Sequence, residues 1–238
     1  MADDSMTFVL VHGAWGGSYG FRNVRPILRQ AGHEVFTPSL TGIGERSHLA
    51  HAGIDLTTHV RDVVNTVLYE DLHDIVLLGF SYGGMVVTGA LDHIAERVSH
   101  LVYLDAFVPA AGQSVFGISG ASPSATMSPG QEWYIPPLPR QLGDPGLQVW
   151  SDSRRTMQPA GTFIEPVQLS VPQEQLDMTL TYVKATDDPN EDVDSAFWRA
   201  ARHAEESDRW SYHEIATHHL VPFTHPGELA DILIRLAS

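Results

Sequence analysis

The 238-residue sequence predicts an α/β fold, a mostly parallel six-stranded sheet flanked by helices, with a cap inserted between the fourth and fifth strands. Three observations predict it. Short apolar runs rich in Val, Ile and Leu recur without polar alternation, as strands buried on both faces require. Stretches with apolar residues at helical spacing separate them, and such alternation forces right-handed crossovers and a parallel sheet covered on both sides. The alternation stops from Phe107 to about Met178 and then resumes to the end.

The first strand is Thr7 to Val11. Phe21, Val24, Ile27, Leu28 and Ala31 then share one helical face, and Gly32 stands where a left-handed C-cap would end that helix. Glu34 to Phe36 is the second strand. Beyond a Gly-rich loop, Val60, Val63, Val64, Val67 and Leu68 mark a second helix, with Asp55 or Thr57 as its N-cap. Ile75 to Leu78 is strand three, Gly83 to Ile94 a helix, and Leu101 to Leu104 strand four. The interruption that follows is rich in Pro, Gly, Ser and Gln with scattered aromatics. A segment of that length in a compact protein predicts short helices and the role of a lid. Thr181 to Lys184, a helix near Val193 to Ala204, and Ser211 to Ile215 restore the pattern. The last helix carries Leu229, Ile232, Leu233 and Leu236 on one face, with Pro226 in its first turn. The expected division is residues 1–107 and 179–238 as core, and 108–178 as cap.

Apolar residues make up 43% of the chain and charged residues 18%, which fits a soluble globular protein and excludes disordered, collagen-like or coiled-coil chains. Fourteen Lys and Arg against 29 Asp and Glu leave a net charge of -15. Such a surface repels phosphate backbones and anionic lipid heads, so neither nucleic acid nor membrane is an expected partner, and a small molecule is. The absence of cysteine removes disulfides, thiolate metal sites and a Cys nucleophile. The acidic start lacks the positive region of a signal peptide, and no apolar run approaches the roughly 20 residues of a membrane helix, so the expected location is cytoplasmic.

The sharpest chemical signal is Gly79-Phe80-Ser81-Tyr82-Gly83, between strand three and the following helix. A strand-to-helix turn this tight strains the serine backbone, requires small residues two positions either side, and projects the hydroxyl at the C-terminal edge of the sheet. The helix N-terminus behind it offers N–H groups to a developing oxyanion. A serine needs a base, and His219, in the loop before the last helix, is the expected one, with its neighbour His218 as rival. The third member must accept a hydrogen bond from the imidazole. Asp105 ends strand four among apolar neighbours, where an unpaired carboxylate would be costly. Asp188, or Asp187 beside it, follows strand five. The choice stays open between these positions. Oxyanion donors are expected from the N–H of Tyr82 and, across the loop His12-Gly13-Ala14-Trp15, from Ala14. Trp15, Trp133 and Tyr134 are candidate substrate-binding residues, and Trp150 and Phe163 are further aromatics of the cap. No cofactor is expected: Gly42-Ile43-Gly44 lacks the third glycine of a dinucleotide fingerprint, and no phosphate-loop lysine motif appears. No metal is expected either, because His213, His218, His219 and His225 lack the spacing of a zinc helix.

Four motifs carry a resemblance: Val11-His12-Gly13-Ala14-Trp15, Gly79 to Gly83, Tyr103-Leu104-Asp105-Ala106-Phe107-Val108-Pro109, and His218-His219 ahead of Pro226. Together they resemble the α/β-hydrolase superfamily, in the small-cap branch of plant methyl esterases, hydroxynitrile lyases and bacterial pyrethroid-type carboxylesterases. The resemblance covers nearly the whole chain. It implies a serine esterase cleaving a small, largely apolar carboxylic ester through an acyl-enzyme, because lyases of the branch tend to carry threonine where Gly13 stands. A lyase or cofactor-free enzyme on the same triad, or a hydrolase-fold ligand receptor, is the alternative. The branch commonly draws its acid from the position of Asp188, whereas relatives such as pancreatic lipases and zearalenone hydrolase draw it from that of Asp105. Haloalkane dehalogenases share the fold but use an aspartate nucleophile, which Ser81 argues against.

Overall fold

The computed structural model describes residues 5–123, 127, 130 and 132–236. Six strands, β1 (Thr7–Val11), β2 (Glu34–Phe36), β3 (Ile75–Phe80), β4 (Val98–Leu104), β7 (Thr179–Ala185) and β8 (Trp210–Ile215), form one sheet in the order β2-β1-β3-β4-β7-β8. Every neighbouring pair is parallel, so the sheet is wholly rather than mostly parallel. Two short strands, β5 (Tyr134–Ile135) and β6 (Gln158–Pro159), pair antiparallel in the segment between β4 and β7.

Side chains alternate faces along each strand, and this sorts the apolar runs into two cores. Val9, Val11, Leu77, Leu101 and Tyr103 meet α2 (Leu56–Tyr69), α3 (Gly83–Ile94) and the helix Ala196–Glu206. Phe8, Leu10, Leu78, Val102 and Val183 meet Leu28 of α1 (Arg25–Gln30) and Leu229 and Leu233 of the helix Pro226–Leu236. Each Leu or Val so enclosed contributes roughly 1.5–3 kcal/mol. The expected cap of the second helix is present: Asp55 accepts from Thr58 N at 2.8 Å, with Thr58 Oγ1 reaching back to the Asp55 N–H. Such a cap is worth about 1 kcal/mol.

Two helices differ from the expected spans. The stretch Phe21 to Ala31 divides into a 3-10 turn, Ser18–Phe21, and α1, which begins beside Pro26 because proline has no N–H to give an earlier turn. The helix expected near Val193 starts at Ala196, where Ser195 accepts from Trp198 N. Between β4 and β7 lie short helices, among them Val115–Ser119, Pro145–Asp152 and Gly161–Ile164. Among the described residues, no helix is long and apolar enough to cross a membrane.

Candidate active site

Ser81 occupies the turn from β3 into α3 with φ 57°, a left-handed conformation that costs a non-glycine residue about 1–2 kcal/mol. Three hydrogen bonds hold it there: its N–H donates to Leu104 O at 3.1 Å, and its carbonyl accepts from Gly84 N at 3.1 Å and Phe107 N at 3.2 Å. The flanking glycines are required by close approach. A Cβ on Gly83 would lie 2.6 Å from Val11 O, and one on Gly84 2.0 Å from Phe107 O. The helix therefore starts hard against the ends of β1 and β4, which leaves the hydroxyl of Ser81 at the sheet edge.

His219 reaches that hydroxyl from the loop after β8. Its Nε2 lies 2.9 Å from Ser81 Oγ and its Nδ1 2.6 Å from Asp105 Oδ2. A carboxylate can only accept, so Nδ1 carries the proton and Nε2 is free to accept from the serine. Two aromatic rings pack against it: Phe197 stacks on it at 5.3 Å with planes 5° apart, and Phe80 lies 4.8 Å away, tilted by 34°. Burial lowers its pKa below the ordinary 6.5, and the charge of Arg140 adds to this, against the opposing pull of Asp105 and Asp188. The imidazole is therefore neutral near pH 7, as a proton acceptor must be.

Asp105 follows β4 with φ 40° and no exposed surface. Its second oxygen accepts from Lys184 Nζ at 2.7 Å. Lys184 also donates to Glu191 Oε2 at 2.7 Å and to Ala185 O at 2.5 Å, and it stands 4.5 Å over the Trp198 ring. Burial works to raise the Asp105 pKa, but the His219 hydrogen bond and the charges of His219 and Lys184 outweigh it and hold the carboxyl below its ordinary range. Glu191 moves the other way, raised by burial and by the charge of Asp105.

Ala14 and Tyr82 line the same chamber as Ser81, and neither backbone N–H has a hydrogen-bond partner among the described residues. The Ala14 loop is fixed by His12, a buried neutral imidazole that donates from Nδ1 to Gly13 O at 2.9 Å and accepts from Leu40 N at 3.1 Å. Gly13 leaves no room for a side chain, since a Cβ there would lie 2.8 Å from Ser81 Cβ. Ser81 and His219 open onto two chambers. One of about 70 Å³ is lined by Tyr19, Leu142, Trp150 and Phe223; the other, of about 300 Å³, by Phe107, Val115, Phe116, Ile135 and Phe163. Ala14, Trp15 and Arg140 border both.

The structure thus brings together Ser81, His219, Asp105, Ala14, Tyr82 and Trp15. It does not bring Asp188 to the imidazole: that carboxylate accepts from Arg140 at 2.8 Å and from the His219 backbone N–H at 3.2 Å. These contacts and the amide of Asn190 lower its pKa to about 2 against the effect of burial. Asp187 is exposed. His218 turns back on its own loop, accepting from Leu220 N. Trp133 and Tyr134 stack on one another at 3.5 Å and line neither chamber, a correction to their expected substrate-binding role. Tyr134 instead borders a separate surface hollow with Pro137 and Met157. In a two-residue strand, side chains point to opposite faces, and Ile135 is the one turned to the chamber. Lys184, Glu191 and Arg140 were not among the expected site residues. A signal for the first existed: Lys184 is the chain's only lysine, set in a strand otherwise fit for burial.

The Alpha/beta hydrolase family profile matches residues 8–232, and the chain belongs to that family. Among curated proteins it is 51% identical over 111 residues to the carbendazim hydrolyzing esterase of Nocardioides sp. (strain SG-4G), a match covering 47% of this chain and 46% of that protein. It is 30% identical over 103 residues to the alpha-hydroxynitrile lyase of Arabidopsis thaliana, covering 43% and 40%. These matches span less than half the length of the relatives concerned. Among solved structures, an extracellular alpha/beta-hydrolase from a Paenibacillus species superposes with a TM-score of 0.79 over 97% of this chain and 98% of that one, at 22% identity, a likeness of fold.

Proposed function

We propose that the protein is a serine ester hydrolase acting on a small, largely apolar carboxylic ester. One observation carries this reading: a serine hydroxyl on a strained turn, 2.9 Å from a neutral, carboxylate-anchored imidazole, facing an apolar chamber of about 300 Å³. Ser81 Oγ attacks the ester carbonyl as its proton passes to His219 Nε2. Asp105 stabilises the imidazolium without taking its proton. The carbonyl oxygen becomes an oxyanion that accepts from Ala14 N–H and Tyr82 N–H. Nε2 returns the proton to the leaving alcohol as the C–O bond breaks, and a water activated by the same nitrogen hydrolyses the acyl-enzyme. Residues 1–107 and 179–238 act as the core and 108–178 as the cap, which supplies Val115, Phe116, Ile135 and Phe163 to the larger chamber. The chambers differ about fourfold in volume, which favours esters with one compact and one bulky side.

Gly13 favours esterase over lyase chemistry through the resemblance, since lyases of the branch tend to carry threonine at that position. The similarity to an esterase is also higher than that to a lyase, over segments of comparable length. A cytoplasmic location is carried here as an inference from the sequence, and fractionation of the host cell tests it. The function is tested with a fluorophosphonate probe and a panel of p-nitrophenyl esters on the intact protein and on Ser81→Ala. Labelling and turnover that both vanish in the variant support the reading; turnover that persists overturns it. Labelling without turnover on any ester would favour a ligand receptor, and cyanohydrin cleavage without an acyl intermediate a lyase.

A further inference from the structure

We propose that Lys184 is a positioning residue of this site, its ammonium holding one oxygen of Asp105 so that the other stays fixed on the His219 ring. The inference rests on the serine-hydrolase reading for its effect on turnover, but not for its effect on the imidazole.

The chain's one lysine has no exposed surface and stands on β7 beside the carboxylate. Leu104 pairs with Val183 across the β4–β7 ladder, so the next residue on each strand, Asp105 and Lys184, comes level, and the 2.7 Å ion pair follows from that register. A buried lysine is costly unless fully partnered, and every donor here is used: Asp105 Oδ1, Glu191 Oε2 and Ala185 O. Glu191 is itself held by Ser195 Oγ at 2.5 Å. Without Lys184, Oδ1 would keep only the long bond from Ala185 N–H at 3.4 Å, and the carboxylate could rotate about its Cβ–Cγ bond and exchange oxygens. With Lys184 on Oδ1, rotation would break two charge-assisted hydrogen bonds at once.

The ammonium also tempers the charge that His219 meets. An uncompensated buried carboxylate would draw a proton onto the ring and take the base out of action at neutral pH; the neighbouring cation opposes this. The other charged and titratable groups around the pair are few. Arg140 and Asp188 face His219 from the loops on its open side. Glu191 backs Lys184. Tyr182 and Tyr212 lie near Asp105, both with pKa values raised chiefly by burial, and both stay neutral. Glu214 accepts from the Tyr212 hydroxyl at 2.8 Å.

The test follows the His219 ring by NMR titration and kcat/KM against pH for a p-nitrophenyl ester, in the unaltered protein, Lys184→Met and Glu191→Gln, with Ser81→Ala as reference. Lys184→Met should raise the ring pKa and the acid limb of the profile by about one unit. Its kcat should fall about tenfold or more, with KM changing far less, as expected where only the transition state is affected. Glu191→Gln should move ring and limb the opposite way, because it leaves the ammonium acting on Asp105 alone. Opposite shifts in the two variants support the proposal, since a purely structural loss would not reverse sign. A ring pKa unmoved in both overturns it. Should Lys184→Met fail to fold, Glu191→Gln decides: a downward shift supports the proposal, and no shift or an upward one overturns it. If Ser81→Ala keeps full ester turnover, the hydrolase reading fails while the ring titration still decides the role of Lys184.

Discussion

Replacing each of the two candidate acids with asparagine separates them by orders of magnitude. In Asp105→Asn the outcome follows from the fixed lysine. Lys184 needs an acceptor, so the oxygen of the new amide turns to Nζ and its nitrogen faces His219 Nδ1. An NH₂ group cannot accept, so the ring places its proton on Nε2, the atom that must take the proton of Ser81. The base is then in the wrong tautomer and the imidazolium has lost its counter-charge. The same substitution in the Ser-His-Asp protease template costs about 10⁴ in kcat, and a loss of 10³ to 10⁴ corresponds to about 4 to 5.5 kcal/mol of barrier. In Asp188→Asn an amide oxygen at the Oδ2 position still accepts the His219 backbone N–H, while the charge facing Arg140 is lost together with the two bonds that Asn190 donates to Oδ1 from N and Nδ2 at 2.8 Å. Less than a tenfold change is expected there. The assay is kcat/KM on one p-nitrophenyl ester for both variants, with folding checked by circular dichroism. An Asp188→Asn loss exceeding that of Asp105→Asn would refute the assignment.

Three further outcomes are expected. Gly13→Ala places a Cβ 2.8 Å from Ser81 Cβ and 3.3 Å from its hydroxyl, so kcat/KM should fall at least a hundredfold and stability by about 1–3 kcal/mol in chemical denaturation; near-normal activity would contradict the close approach. The limb of kcat/KM on the acid side should have its midpoint below pH 6.5, because burial and Arg140 favour the neutral imidazole, and a midpoint above 7 would show a ring that the carboxylates dominate. The Asp188 carboxyl, at about 2 in the folded state, lends stability that is complete above about pH 4 and lost as pH falls toward 2, so Asp188→Asn should flatten unfolding free energy over that range; an unaltered slope would place the acid sensitivity elsewhere.

Much of the scaffold was legible because its signals are local. The unbroken run Thr7 to Val11, the helical spacing of Val60 to Val67 and the cap at Asp55 each depend on a few neighbouring residues and a buried face. The turn at Ser81 was legible because its small residues fall within five positions of sequence, although the contacts that require Gly83 and Gly84 come from Val11 and Phe107, far away along the chain. The acid was not. Asp105 and Asp188 both sit at strand ends, and what separates them is which loop the imidazole faces, a distance set by β8 and its following turn. The aromatics between β4 and β7 failed for a related reason: composition names Trp133, Tyr134 and Phe163 alike, but only packing decides that Phe163 stacks on Tyr82 beside Ser81 while the other two stack on each other.

Of the five non-glycine residues with positive φ among the described residues, Asp71 and Asp74 precede β3 and the other three border the site, where their placement has a physical logic. Ser81 and Asp105, with φ of 57° and 40°, directly follow the adjacent strands β3 and β4, and Trp15, with φ of 60°, lies in the loop after β1. Such residues cost about 1–3 kcal/mol each and persist only where their surroundings over-determine them. Each N–H is tied to a different, later part of the chain: Trp15 to Gln158 Oε1 at 3.0 Å, Ser81 to Leu104 O at 3.1 Å and Asp105 to Val183 O at 2.7 Å. The last two ties run from β3 to β4 and from β4 to β7, so the strained serine leans on the strand that carries Asp105, and Asp105 on the strand that carries Lys184. A carboxylate on β4 is therefore positioned by the same ladder that presents the hydroxyl. Asp188 lies in the loop beyond β7 and relies on Arg140 and Asn190 instead, partners outside the sheet. At the first position the strand ladder fixes the backbone and Lys184, on that same ladder, fixes the carboxylate, which is a physical reason for the ring to face Asp105.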